Sequence, residues 1–539
     1  MQADEHKAVF ARKASGLVRT LSPLDMIIYA AGFAGIPFMA LTTVWMFAWQ
    51  PGGQQGIATV ITCGLFVFVA LVFAWFMIAM PRAGADYLFV SRSVHPALGF
   101  VSSWSYTVGV AFWAGFIAYY AGTIGVPMLL VTLGISLRDV GLINLAAMIG
   151  SPPWTTYLPL ILAIPFLWGL SMGLLLMPVK RMFLWIRFWW WVQILGTALA
   201  LGILLLTPQS VFVSNYNSLI NTMYPGQGGF DSVISTAIAK GFNPNPGISW
   251  AGTIAIIPLY GVVFNSCFAP VITAGEVKSI KKSAYFGILG SLPVLGVISA
   301  LYYYATLSAV GQDFAASISY LANFSPSSLP ISISPQVYLL ATIANPNVIT
   351  AFIMGLAFLA MCLWVAPLNP IYGTRAFFAW SLDKMLPQWM ADTNRWHTPK
   401  WTPIPMMALS TFFLVLFVFW PTVLQMFTFI SVGWMFMFVC LAGALFPFVK
   451  KTVFEASPVK WRVGGIPVIS IAGAIGFLFL ATLFGLYGFN PAYGGGGSII
   501  WVAQAIVLGS GVITFYGIKA YRMRHGVDVM LAYREIPPV

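Results

Sequence analysis

Two short stretches of this sequence hold residues that could recognise a solute, and neither is equipped to make or break a covalent bond. The first is Gly32-Phe33-Ala34-Gly35-Ile36-Pro37, in the middle of an uncharged run from Met26 to Gln50. Pro37 cannot donate a backbone hydrogen bond and its ring clashes one turn back, so a helix through this stretch should kink or unwind there. A break leaves amide and carbonyl groups unpaired. Hydrocarbon cannot satisfy them, so at mid-membrane depth they must face protein or a water-filled cavity. Many transporters build a substrate site in this way; a proline kink with only a packing role gives the same pattern. The second stretch runs from Tyr260 to Pro270. Asn265 and Ser266 are polar in a run with few other polar residues. Such a pair either hydrogen-bonds a neighbouring helix or contacts solute.

Other chemistry is thinly represented. Cys63, Cys267, Cys362 and Cys440 are isolated within apolar runs, which argues against disulfides and metal sites. His6, His95, His397 and His525 lie in loops or at helix ends and form no ligand set. No catalytic cluster appears, so neither an enzyme nor a cofactor is expected.

The elements that must position these residues follow from composition. The chain is 60% hydrophobic and 7% charged over 539 residues, where a soluble protein carries about 25% charged residues. This is the composition of an all-α polytopic membrane protein. Residues 1–20 are polar and charged, and the first apolar run is a full span, so no cleavable signal peptide is expected. That run starts as a helix should: Ser22 can cap, Pro23 suits the first helical position, and Asp25 sits three residues after Ser22. Hydropathy gives twelve spans: 24–48, 57–80, 97–122, 157–178, 184–206, 250–273, 284–310, 347–379, 404–420, 422–448, 465–489 and 498–519.

The charges test this count. With the N-terminus inside, 24 of the 26 basic residues fall in inner segments, and only Arg138 and Lys240 fall outside. One helix more or fewer would scramble that asymmetry, so it supports both the count and cytoplasmic N- and C-termini. It also explains the net charge of +13 without a nucleic-acid partner. Most outer connections are short and uncharged. Two are long, 207–249 and 311–346, and read as lids over an outer vestibule or as surface loops with a short helix. Asn323-Phe324-Ser325 is a glycosylation sequon, weakened by Pro326.

Three inner-side motifs carry a resemblance. Met80-Pro81-Arg82-Ala83-Gly84-Ala85-Asp86-Tyr87 leads to Arg92, Gly99-Phe100 and Trp104. Gly275-Glu276-Val277-Lys278 follows the sixth span. Thr374-Arg375-Ala376-Phe377-Phe378-Ala379-Trp380-Ser381-Leu382-Asp383-Lys384 leads to Thr398-Pro399 and Thr402-Pro403. Over roughly residues 20–520 the chain resembles the amino acid–polyamine–organocation (APC) superfamily of permeases.

The resemblance implies twelve transmembrane helices in a LeuT-like fold: a 5+5 inverted repeat plus two C-terminal helices. The parts would be a cytoplasmic tail, 1–21; a first repeat, 22–206; the outer loop 207–249; a second repeat, 250–449, which includes the loop 311–346; two further helices, 465–519; and a cytoplasmic tail, 520–539. The sixth span would then mirror the first as the other broken helix. By carry-over, Ala34, Gly35 and Ile36 face a substrate carboxylate, and Asn265, Ser266, Cys267 and Phe268 line the other side.

The chain departs from the family's Gly-Ser-Gly-Ile at this place: the hydroxyl is gone and a glycine is replaced by Phe33. A family sodium site would use hydroxyls of the eighth span, but residues 351–373 hold no Ser or Thr, with Val365 and Ala366 about where one is expected. Hard cations want oxygen ligands, which argues against sodium there. Where some relatives carry a coupling lysine in the fifth span, this chain has Gln193, which is neutral. Asp86 and Glu276 near the inner mouth are candidates for an inner gate, paired with the basic residues around them, and for a proton path; exchange and facilitated transport stay open. No acid lies deep in a span, which favours a neutral amino acid or similar solute over a polyamine. Trp104, Tyr106, Trp113, Phe427 and Trp434 could wall its pocket. The expected function is a secondary transporter in the cell membrane, working by alternating access, with a small molecule and the lipid bilayer as its partners. A carrier of an organic amine or nucleobase and a non-transporting accessory subunit are the rivals.

Overall fold

In a computed structural model, residues 16–329, 331, 334–489 and 497–533 are described, with backbone only for residues 421–432. Phe427, the 490–496 connection and both extreme tails therefore lie outside the described side chains. The chain is an all-α polytopic membrane protein, with one small hairpin. Among the described residues, ten helices are long and apolar enough to cross a bilayer, and Pro403–Phe419 and Gly433–Val449 are shorter apolar helices. The latter is the described part of a 29-residue helix. Every one of the twelve expected spans falls on one of these helices.

In chain order, α1 (Pro23–Phe33) and α2 (Ile36–Trp49) share the first span, followed by α3 (Gln55–Ala79), a short α4 (Ala85–Ser93) and α5 (Pro96–Tyr120). After a π-helical turn at Ala121–Gly125 the chain continues as α6 (Val126–Leu137) and α7 (Val140–Ile149). The apolar segment α8 (Trp154–Leu176) and α9 (Val179–Leu206) come next. Two helices of a long connection follow, α10 (Gln209–Met223) and α11 (Phe230–Ala239). The second half holds α12 (Trp250–Phe264), α13 (Ala269–Ile272), α14 (Ile280–Val310), α15 (Gln312–Phe324) and α16 (Val337–Ala344). It continues through α17 (Val348–Leu368), α18 (Pro370–Leu382), α19 (Pro403–Phe419) and α20 (Pro421–Val449). After α21 (Lys451–Ala456) come the strands β1 (Arg462–Val463) and β2 (Ile466–Pro467), then α22 (Val468–Phe489) and α23 (Ser498–Arg524).

The start of α1 is the capping box read from its sequence. The Asp25 amide donates to Ser22 Oγ at 3.3 Å, and the Ser22 amide donates to Asp25 Oδ2 at 2.9 Å. The β1–β2 hairpin was not foreseen. Gly464 and Gly465 both have positive φ (57° and 82°), as a two-residue primed turn requires. The third span also runs on: Pro96–Leu137 is 42 residues long. At 1.5 Å per residue this reaches about 63 Å, roughly twice the hydrocarbon core, so α6 is not needed for the crossing. With α7 it makes a third long connection at the charge-poor end, where the sequence reading has two.

Contacts sort the connections into the same two ends as the charges do. At the basic end, the Leu21 amide donates to Glu276 O, Arg187 pairs with Asp25, Arg92 with Asp383, and Asn394 Nδ2 donates to Leu176 O. At the charge-poor end, the Ser249 amide donates to Gly52 O, Arg138 donates to Thr222 and Ser218, and Asn215 Nδ2 donates to Ala344 O. Hence α1 starts at the basic end and α12 at the other, and the first and sixth spans run in opposite directions.

The long connections at the charge-poor end are not bare loops. All eight residues of α16 are buried, and the helix packs against α9, α6 and α10. Tyr338 on α16 shares its hydroxyl with Tyr302 (3.0 Å) and Thr197 (2.9 Å).

Candidate functional site

The first span is broken where Pro37 and the glycines place the break. α1 ends at Phe33 and α2 begins at Ile36. Between them Gly35 takes φ 69° and ψ 74°, a left-handed conformation that glycine adopts without strain. Its amide donates to Gly32 O at 2.9 Å, and its carbonyl accepts from Phe38 at 2.8 Å. Pro37, at the second position of α2, brings no N–H of its own. The N-terminus of α2 therefore sits inside the protein with its dipole's positive end at the break.

The sixth span is interrupted differently. Residues Asn265–Phe268 form one 3₁₀ turn between α12 and α13. The helix is tightened rather than unwound, a correction to the expected mirror image of the first break. No residue here adopts positive φ, and no glycine lies between Val262 and Ala274 to permit one.

Between the two interruptions lies a cavity with about 630 Å³ of empty volume, its open mouth included. The first span contributes Phe33, Ala34, Gly35, Phe38 and Thr42, and α5 contributes Tyr106, Trp113 and Ile117. The sixth span contributes Leu259, Val262, Val263 and Asn265; the eighth contributes Met361, Val365 and Asn369. No Asp, Glu, Lys, Arg or His is among these lining residues. The polar groups are two amides, one threonine, one tyrosine, the Trp113 indole N–H and the backbone at the break. Asn265 also borders a second cavity of about 460 Å³ on the far side of the sixth span, walled by Gly433, Phe436, Leu480 and Phe484. The first cavity is the stronger candidate, because it is the one that meets both helix breaks.

Beneath the cavity, toward the basic end, aromatic rings form a floor. Phe268 meets Phe33 edge-on at 6.0 Å and Tyr106 at 5.0 Å, and Tyr106 meets Tyr372 at 4.5 Å. Around and below this floor are buried charges. Arg375 reaches Glu276 at 3.1 Å. Arg92 reaches Asp383 at 2.6 Å, which also accepts from Tyr87 OH at 2.8 Å. Asp86 accepts from Ser102 Oγ at 2.7 Å and from the Tyr372 hydroxyl. Burial pushes the Asp86 carboxyl up to about 7, and those two hydroxyls, with the backbone amides of Tyr87 and Asp86, hold it from rising further.

Of the residues picked from sequence, Ala34, Gly35 and Asn265 line the cavity together, and so do Tyr106, Trp113 and Val365. Phe268 is in the floor. Ile36, Ser266 and Cys267 are buried behind the wall, and Ser266 Oγ has no partner there. Gln193 is buried in α9, with Nε2 donating to Trp189 O at 3.3 Å, and does not line the cavity. Trp104 and Trp434 are elsewhere: their indole N–H groups donate to Ser510 Oγ at 3.1 Å and Gln504 Oε1 at 3.0 Å. Glu276 and Asp86 are both at the basic end, one in an ion pair and one among hydroxyls.

Phe38, Thr42, Met361 and Asn369 were missed. Asn369 had a readable signal: it is a polar residue between Pro367 and Pro370 in an otherwise apolar run, and the eighth span changes helix there, from α17 to α18. Its Nδ2 donates to Val365 O at 2.9 Å. No protein-family model matches this chain, and no curated protein matches it significantly.

Proposed function

We propose that this chain is a secondary transporter of the APC type, moving a neutral amino acid across the cell membrane by alternating access, with both termini cytoplasmic and its first ten spans arranged as a 5+5 inverted repeat. One observation carries the reading: two interrupted helices of opposite direction meet at a cavity whose lining has no formal charge. The α2 N-terminus suits a carboxylate. The amides of Asn265 and Asn369 suit the ammonium and carboxylate of a zwitterion, and Phe33, Phe38, Trp113 and Ile117 suit an apolar side chain. A polyamine or organic amine would bury an unpaired cation here, which is costly.

A second reading, transport of a nucleobase, draws on a different observation. Two amides beside Phe33, Tyr106 and Trp113 are groups that could hydrogen-bond the edge of a planar ring and stack on its face.

Uptake into proteoliposomes of labelled neutral amino acids and nucleobases tests both. A neutral amino acid taken up by the wild type, with uptake cut about tenfold or more by Asn265→Ala, is the expected result. Nucleobase uptake alone selects the second reading. Uptake of neither, by folded protein, removes both.

A further inference from the structure

We propose that Asp86 is the proton-carrying group of this transporter, coupling solute movement to a proton gradient through its hydrogen bond with Tyr372. The proposal rests on the transport reading above and adds the ion and the residue that carries it.

Four carboxyl side chains are buried among the described residues: Asp25, Asp86, Glu276 and Asp383. Three of them face an arginine: Asp25 with Arg187 (2.6 Å), Glu276 with Arg375 (3.1 Å) and Asp383 with Arg92 (2.6 Å). Asp86 instead meets the hydroxyls of Ser102 and Tyr372 and the backbone amides of Asp86 and Tyr87. The difference is chemical. A guanidinium only donates, so it offers nothing to the proton of a carboxylic acid; a hydroxyl donates and accepts. When Asp86 is charged, both hydroxyls donate to it. When it is neutral, its own O–H can donate to the Tyr372 oxygen, and the tyrosine proton can turn to Ser103 Oγ, already 3.2 Å away. Ser102 continues to donate to the other oxygen. A proton can therefore come and go without leaving a buried polar group unpaired.

The charged surroundings leave Asp86 to itself. On its own helix Arg92 is taken up by Asp383, and the Tyr87 hydroxyl donates to that same carboxylate. On α18, Arg375 and Asp383 are held by Glu276 and Arg92. On α5 the groups facing it are Ser102, Ser103 and Tyr106; His95, at the start of that helix, accepts from the Ala97 amide. On α20 the described side chains from 433 to 449 include one titratable group, the Cys440 thiol. With burial pushing the Asp86 carboxyl up to about 7, both forms are populated near neutral pH.

Tyr372 ties this carboxyl to the cavity. Its ring meets that of Tyr106, a cavity wall residue, at 4.5 Å. It lies three residues after Asn369, the N-cap of α18, and three before Arg375 on that helix. In the proposed cycle a proton from water arrives past Tyr106 with the solute, neutralises Asp86, and returns to water at the basic end when the arginine pairs part. No bond to the solute forms.

The test uses the full chain in liposomes, with a labelled neutral amino acid that the wild type takes up. For one proton per solute, a gradient of one pH unit supports about tenfold accumulation. The wild type should show it, and in Asp86→Asn the ratio of inside to outside solute should fall to about one. Should Asp86→Asn not fold, Tyr372→Phe keeps the test: losing a donor to the charged form should move the pH midpoint of gradient-driven uptake up, by about one unit. Accumulation in Asp86→Asn equal to the wild type, or an unmoved midpoint in Tyr372→Phe, overturns the assignment. Uptake by the wild type that ignores the gradient also overturns it and leaves the transport reading standing. No uptake of any solute by the wild type overturns both.

Discussion

The two ends of this molecule are held together by different chemistry. At the basic end, three buried carboxylates meet three arginines, and the chain at Thr20 and Leu21 hydrogen-bonds across to Glu276 O. At the charge-poor end, the contacts are made by rings, hydroxyls and a wedge. Trp45 stacks on Trp49 at 5.3 Å and donates to Ser334 Oγ at 2.9 Å, and α16 is packed among the spans behind them. An ion pair and an apolar seal fail in different ways. Opening an ionic latch to water rehydrates both charges, so the latch opens at small net cost; removing one partner while the latch is shut strands the other charge in a dry place. An apolar contact loses free energy roughly in proportion to the area exposed. The basic end is thus suited to switch as a unit, and the charge-poor end to loosen by degrees. The residues that set topology under the positive-inside rule are the same type that builds the latch, which is why it sits at that end.

The sharpest way to break the comparison is to strand a charge. Arg375→Ala leaves Glu276, 1% exposed, without its partner, and should cost about 3–5 kcal/mol. Adding Glu276→Ala should recover part of the loss. Chemical unfolding in detergent measures both. A single-variant loss within about 1 kcal/mol would mean that water already reaches the pair.

Next in size is the effect of pH. The Asp86 carboxyl is raised from 3.8 to about 7 by burial. Its contribution to stability is then fully present below pH 4 and lost as pH rises through 7. The wild type should lose on the order of 4 kcal/mol relative to Asp86→Asn between pH 4 and pH 8. Parallel stability profiles for the two proteins would mean that Asp86 does not titrate in that range.

Most of the fold, and part of the site, could be read from the sequence. Apolar length and the placement of basic residues depend on bilayer thickness and the membrane's sidedness alone, so the spans and the grouping of loops were legible. The first break was legible because Pro37 and Gly35 leave a helix little choice. The shape of the second break was not: Asn265, Ser266, Cys267 and Phe268 fit an α-helix, a 3₁₀ turn or an unwound segment, and packing selects among them. Nor could the sequence tell which aromatics wall the cavity. Tyr106 and Trp104 are two residues apart, so they point to different sides of α5, and only the neighbouring helices decide which side is hollow. Glu276 and Asp86 looked alike as acids near an inner mouth; Arg375 and Tyr372, each nearly a hundred residues or more away in sequence, make them different.

Gly35→Ala is a smaller and more local break. An L-residue at φ 69° costs about 1–2 kcal/mol, and the added Cβ would sit 3.3 Å from Met361 Cγ, inside the cavity wall. Solute binding should fall at least tenfold while stability falls by about 1–2 kcal/mol, read by a binding isotherm and an unfolding curve on the same preparation. Equal proportional losses in both would mean that the break serves packing.

Tyr338→Phe probes the charge-poor end. It removes one hydroxyl from the group formed with Thr197 and Tyr302 and leaves the ring in place. The cost should be about 1 kcal/mol, the net worth of a typical hydrogen bond, because Thr197 and Tyr302 still hold each other at 2.9 Å. A loss as large as that of Arg375→Ala would erase the distinction between the two ends.

The smallest effect should come from an ion pair at the basic end that is not buried. Arg462 on β1 pairs with Glu455, and their side chains are 42% and 44% exposed. Water solvates both charges before and after the contact breaks, and salt screens what is left, so such pairs contribute roughly 0–1 kcal/mol. Glu455→Gln should shift the unfolding midpoint by no more than experimental scatter, and raising the salt concentration should leave the wild type and the variant indistinguishable. The value of the measurement lies beside Arg375→Ala: both variants remove one member of an acid–arginine pair at the same end of the molecule, and they differ in burial. Similar losses at the two sites would show that position at the basic end, rather than desolvation, gives the latch its strength.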